Sequence, residues 1–168
     1  MRGKVSKIIA LVLSVLALFL SLVSIENWES VGIYTGCGPL CRAIYPLFHA
    51  NIIHAALNIW CLLSIVFIYD ITIWRLLFAY ATAISIPTLF LSATPTVGLS
   101  GIVFALFGSI SFEVGRKLYY QAWMFAYLIL GFVFPNTNAW IHLYCYAIGS
   151  VFALLNKPIK INRDDSGC

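Results

Sequence analysis

The chain is a succession of long apolar runs separated by short polar breaks. Six runs, 8–25, 47–69, 74–91, 98–114, 118–134 and 139–156, carry almost no charge. Each has about the 17–25 residues that an α-helix needs to cross the hydrocarbon core of a bilayer. This pattern predicts an all-α polytopic membrane protein with six transmembrane helices. The expected organisation is a cytoplasmic N-terminus over 1–7, a six-span core over 8–156 and a cytoplasmic tail over 157–168.

Composition agrees with that reading. Of 168 residues, 62% are hydrophobic and only 10% charged, and the mean hydropathy is +0.96. So few charges cannot cover the apolar surface of a soluble domain of this length. Arg2, Lys4 and Lys7 before the first run would also suit a signal peptide, but the run is long for one and no small-x-small cleavage site follows Ser24. The first run is therefore read as a span. No internal repeat or low-complexity segment stands out, and any activity is expected from the spans and their loops.

The basic residues orient the spans. Arg2, Lys4 and Lys7, then Arg75, then Arg116 and Lys117, then Lys157, Lys160 and Arg163 all fall on one side when six spans are threaded alternately. Arg42 alone of the ten Lys and Arg falls on the other. The positive-inside rule makes the first side cytoplasmic. The formal charge of +4 then belongs to membrane flanks, and no nucleic-acid partner is expected. Segments 26–46, 92–97 and 135–138 become outer loops, and 70–73 and 114–117 inner ones.

This threading carries Ser100, His142, His54 and Asn58 to the same leaflet on three different spans. A serine hydroxyl is a weak nucleophile until a base takes its proton. Only the three histidines, His49, His54 and His142, can do so near neutral pH. In GLSGIVFALFG, Gly101, Ala105 and Gly108 form a small-residue stripe. In WIHLYCYAIGS, Cys145, Gly149 and Ala153 lie below His142 at helical spacing. Such stripes let helices approach closely, which would bring Ser100 and His142 within hydrogen-bond reach. No acid is available at that level to orient the imidazole, so a Ser–His dyad is expected, with Phe104 one turn after Ser100 stacking on the ring. His54 and Asn58, at i and i+4 in HAALN, are candidate oxyanion donors together with the backbone N–H of Ser100 at a helix start.

HANIIHAALN fits H-x4-H-x3-N, GLSGIVFALFG carries G-x-S-G with a later glycine, and Gly149 follows His142 by seven residues. In this order on spans two, four and six, the motifs resemble those of the rhomboid intramembrane serine proteases over essentially the whole chain. The resemblance implies Ser100 as nucleophile, His142 as base, and His54 and Asn58 as oxyanion donors. Supporting roles are implied for Gly98, Gly101, Phe104, Gly149 and a mainly structural His49. It also implies a water-filled cavity open to the outside, membrane-spanning protein substrates, and no cofactor. Arg42 and Asp70 are similar to a structural polar pair of that family, but they fall at opposite sides, so direct pairing is not expected.

Three departures stand out. Phe104 replaces a frequent tyrosine, Cys145 replaces a usual glycine and should loosen the packing of spans four and six, and Cys41-Arg42 replaces a Trp-Arg pair. The expected location is a bacterial plasma (inner) membrane with the site facing outward.

Alternatives remain at this stage. A rhombosortase-like enzyme would trim C-terminal sorting tails, and a non-catalytic rhomboid-like protein would escort membrane clients. Cys37 and Cys41 can pair in an oxidising compartment. With His49 and His54 they faintly resemble a zinc pattern whose spacing is too short, and no metal is expected. Glu113 with Arg116 and Lys117 reads as a helix-end charge cluster. Trp123, Phe125, Phe132 and Phe134 are candidate gate residues beside a substrate path between spans two and five. The oligomeric state is not legible.

Overall fold

The computed structural model describes residues 3–134 and 137–156. Arg2, Lys157, Lys160, Arg163 and the 157–168 tail, all used in the charge argument, lie outside the described residues. Among the described residues seven α-helices follow in order: α1 (Lys4–Leu20), α2 (Pro39–Ile44), α3 (Ile52–Ile68), α4 (Ile73–Ile84), α5 (Ser100–Ser109), α6 (Lys117–Val133) and α7 (Ala139–Leu155). Among the described residues there is no strand, only an isolated antiparallel bridge between Ile33 and Thr96.

The expected runs reappear as α1 and α3–α7, with shifted ends. α3 begins at Ile52 because Asn51 caps it, its side chain accepting from the His54 N–H at 2.9 Å. His49 therefore precedes the helix, although the apolar run reaches back to 47. α4 stops at Ile84 rather than near 91, ahead of Pro87, which restricts the residue before it and offers no N–H. α5 ends at Ser109, not 114. Its last carbonyls are taken by the Ile110 and Ser111 N–H groups in turns. α2 occupies a stretch expected to be an outer loop.

No single helix among the described residues is long and apolar enough by itself to cross a membrane. The longest have 17 residues, which at 1.5 Å per residue is about 25 Å against a hydrocarbon thickness of about 30 Å. Only Pro39–Leu47 with Ile52–Ile68 passes that test together, and that pair is bent by 85°.

Small residues set the packing. Ser6, Ala10, Ser14 and Ala17 form the buried stripe of α1, which lies on α3. α5 and α7 make the most extensive helix pair. A Cβ placed on Gly108 would strike the Tyr146 carbonyl oxygen, and one on Gly149 would strike the Ala105 carbonyl oxygen. The two backbones are thus in contact, and Cys145 does not loosen them as expected. Its sulfur fits beside Gly101, 3.5 Å from where a Cβ would stand. α5 is the central helix, with Gly101, Ile102, Val103, Ala105, Leu106, Gly108 and Ser109 all buried. The outward faces carry large apolar groups: Trp60, Trp74, Leu118 and Val133 are all more than two-thirds exposed.

One end of the bundle collects charge. Lys7 pairs with Asp70 at 2.6 Å, and the Ser6 hydroxyl donates to the Ile71 carbonyl. Arg75 donates to both Glu113 oxygens, at 2.9 and 2.5 Å. Glu113 is therefore partnered across helices by Arg75, correcting the expected cluster with Arg116 and Lys117. Arg42 donates to the Ile86 carbonyl at 2.6 Å, and Asp70 is held by Lys7, so these two do not pair with each other.

Candidate active site

The end opposite the charges gathers the predicted site residues. Gly98 has φ +128°, a backbone conformation that side chains rarely adopt, and this turn delivers Ser100 as the first residue of α5. The turn is tied down twice. The Gly98 N–H donates to the Tyr45 carbonyl at 3.1 Å, and the Leu99 N–H donates to His49 Nε2 at 3.2 Å. Tyr45 itself is buried and donates its hydroxyl to the Ala83 carbonyl at 3.0 Å.

His142, on the first turn of α7, places Nε2 2.9 Å from Ser100 Oγ. The contact of α5 and α7 through Gly108 and Gly149 makes this reach available, because a wider spacing would part the two side chains. Phe104 lies flat on the imidazole, with centroids 4.4 Å apart and planes inclined by 14°. The other nitrogen, Nδ1, faces Gly131 of α6, at 3.7 Å from where a Cβ would be. Among the described residues no carboxylate hydrogen-bonds His142. The ring is held by the Phe104 stack and by its hydroxyl partner.

His54 borders the same turn. Its Cε1 and Nε2 come within 3.0 and 3.1 Å of the position a Cβ on Gly98 would take, with Asn58 Nδ2 at 3.6 Å. Any larger residue at 98 would displace both. Asn58 is buried and spends one amide hydrogen on the His54 carbonyl at 3.1 Å, leaving the second. The Ser100 N–H, in the first turn of α5, has no acceptor within its helix. His49 lies five residues before His54, a spacing that would turn it to another face of a continuous helix. Because it precedes α3, its ring packs edge-on against His54 at 5.1 Å, and its Nε2 supports the serine turn. It acts on the site through Leu99.

These groups open into one cavity of about 680 Å³. Asn51, His54, Asn58, Thr96, Ser100, Thr137, Asn138 and His142 supply its polar part, and Leu57, Cys61, Val103, Phe107, Met124 and Tyr127 its apolar part. From α6, it is Met124 and Tyr127 that face the cavity. The expected gate residues Trp123, Phe125, Phe132 and Phe134 are all at least half exposed on the outside. α6 is anchored lower down by the Tyr120 hydroxyl to the Phe107 carbonyl at 2.8 Å, and by the Tyr146 hydroxyl to Gln121 at 2.5 Å.

Sequence reasoning missed Tyr45, Asn51, Met124, Tyr127, Thr137 and Asn138. Asn51 had a signal, an Asn immediately before an apolar run. Tyr45 had none, since its role depends on a contact 53 positions away along the chain. Cys37, Cys41, Cys61 and Cys145 are all free thiols, so the 37–41 disulfide is not formed. Cys41 instead points at the Ser30 and Glu29 carbonyls, at 3.3 and 3.5 Å. Among the described residues no three His, Cys, Asp or Glu are grouped to hold a metal.

Compared with known proteins, the chain matches no family model, no curated protein sequence and no solved structure. The case for its chemistry rests on the residues themselves.

Proposed function

We propose that this chain is an intramembrane serine endopeptidase of the rhomboid type, cleaving membrane-anchored protein segments near the outer face of a bacterial plasma membrane. The observation that carries the proposal is the 2.9 Å contact between His142 Nε2 and Ser100 Oγ at the mouth of a cavity that also holds His54 and Asn58. In the reaction, Ser100 Oγ adds to the scissile carbonyl carbon while His142 Nε2 takes the hydroxyl proton. The carbonyl oxygen becomes an oxyanion facing His54, the free hydrogen of Asn58 and the Ser100 N–H. His142 returns its proton to the amide nitrogen as the C–N bond breaks, leaving an acyl-enzyme. Water from the cavity, deprotonated by the same imidazole, releases the acid and restores the serine.

The membrane setting is part of the proposal. Its supports are the mean hydropathy of +0.96 and the exposed Trp60, Trp74, Leu118 and Val133. A further support is the collection of Lys7 and Arg75 at the end of the bundle away from Ser100. Helices of 17 residues suit a locally thinned bilayer.

A fluorophosphonate probe tests the chemistry. Labelling of the native chain that disappears in Ser100→Ala is the expected result. Absence of labelling in both would leave the protein as a membrane-client binder without catalysis.

A further inference from the structure

A second hollow, of about 430 Å³, lies at the Ser100 end of the bundle, between the C-terminus of α1 and the N-terminus of α3. That is room for far more than one water, whose share of liquid volume is about 30 Å³. Ser21, Ser24, Trp28, His49 and Asn51 form its polar wall. Leu22, Val23 and Ile52 form an apolar lip, each at least 46% exposed. The wall is rich in donors. His49 Nε2 accepts from the Leu99 N–H, so in the neutral ring the proton sits on Nδ1. Nδ1 is buried without a hydrogen-bond partner, and His49 as a whole is 3% exposed. The Leu47 carbonyl lies near the ring without completing a bond to it. With Nε2 turned to Leu99, Nδ1 is the nitrogen left to the hollow. Asn51 spends its side-chain oxygen on the His54 N–H and keeps its amide hydrogens. The Ile52 N–H, in the first turn of α3, has no acceptor within its helix. A buried donor left unpaired is costly, and a ligand oxygen is the acceptor that this group lacks.

We propose that this hollow is a phospholipid site, in which a phosphodiester oxygen accepts from His49 Nδ1–H and the acyl chains lie on Leu22 and Val23. The proposal rests on the membrane setting given above and not on the protease chemistry. The charges of the wall choose the lipid over free phosphate. No Lys, Arg, Asp or Glu lines the hollow, and Glu26, next along the chain from Ile25, lies outside it. A phosphate dianion would meet no counter-charge there. A diester carries one charge, finds neutral donors and the positive end of α3, and gains its affinity from chains on the apolar lip. Trp28 sits at the level where an indole suits the headgroup region. Occupancy reaches the serine. Ala50 and Asn51 line both this hollow and the cavity of Ser100, so the 49–51 turn is the partition between them. An acceptor on Nδ1 fixes the proton there, keeps the Nε2 lone pair on the Leu99 N–H, and so steadies the turn that presents Ser100.

The test adds dioleoyl phosphatidylglycerol, dioleoylglycerol or inorganic phosphate to the full-length protein in detergent micelles, and reads thermal unfolding and the rate of Ser100 labelling by a fluorophosphonate. The phospholipid is expected to raise the unfolding temperature by about 4 °C and the labelling rate by about fivefold. Dioleoylglycerol, with the same chains and no phosphate, and inorganic phosphate, with no chains, are expected to do neither. Val23→Trp and, independently, Ser24→Trp fill the hollow from its exposed edge. Without lipid each is expected to unfold within about 2 °C of the native chain, and with phospholipid to show no further rise. An equal shift with dioleoylglycerol, an equal shift with inorganic phosphate, no shift at all, or a shift retained in both variants overturns the site. A phospholipid shift with an unchanged labelling rate overturns the coupling to Ser100. Labelling absent from every sample while the phospholipid shift persists removes the protease reading and leaves the lipid site standing.

Discussion

Ser100 owes its position to backbone rather than to its own side chain. Gly98 at φ +128°, the Tyr45 carbonyl and His49 Nε2 hold the turn, and the hydroxyl is left for His142. The contact of Ser100 with His142 was legible from the motifs, as was the Phe104 stack, because residue types with that chemistry are few in so apolar a chain. The oxyanion side is where a mutation speaks most directly. In the proposed mechanism His54→Ala or Asn58→Ala removes one donor facing developing charge, and either is expected to lower kcat by about 10²- to 10³-fold. KM should change little, since the interaction matures in the transition state. Cleavage of a single-span reporter with unequal losses confined to KM would assign these two side chains to packing instead. His49 does not point away from the site, since its ring touches His54 and its Nε2 accepts from the Leu99 N–H.

At the level of elements, the apolar runs located six helices but overstated their lengths. Hydropathy does not distinguish a helical residue from an equally apolar turn, so Pro87 and the turn at Ile110 trimmed α4 and α5 below the expected span. The small-residue stripes were the more informative signal, since they foretold that α5 and α7 would touch along Gly108 and Gly149. Gly149→Val tests that contact. The added branched side chain meets the Ala105 carbonyl with no flexible neighbour to yield. We expect a loss of about 3 kcal/mol in detergent, read by thermal or denaturant unfolding, together with loss of Ser100 labelling as the dyad separates. A variant as stable and reactive as the native chain would show that the helices have room to spare.

For the whole molecule, alternation of the helices decides that Ser100 and the Lys7, Arg75 charges lie at opposite ends. The proposed orientation turns this into a statement about compartments. In a chain with its five native cysteines replaced, Thr94→Cys, exposed in the loop before the serine turn, is expected to react with a membrane-impermeant maleimide in intact cells. Protection there, with reaction only after lysis, would invert the topology. The ion pair of Arg75 and Glu113 bears on the same scale. Both side chains are largely shielded, at 15% and 24% exposed, and they clamp α4 to the end of α5. Sequence proximity suggested Arg116 and Lys117 for Glu113, but a partner 38 residues away was nearer in space.

The sequence by itself determined the helical class, the order of the apolar segments, the end at which each polar residue lies, and the chemical types at hand, because these follow from periodicity, hydropathy and residue identity along one chain. Tertiary structure alone decided which α6 residues face the cavity, that Tyr45 and His49 brace the serine turn, and that Cys37 and Cys41 are not bridged to each other. Those features depend on the rotation and separation of helices distant in the chain. Backbone contact at a few glycines sets these, and no local pattern encodes them.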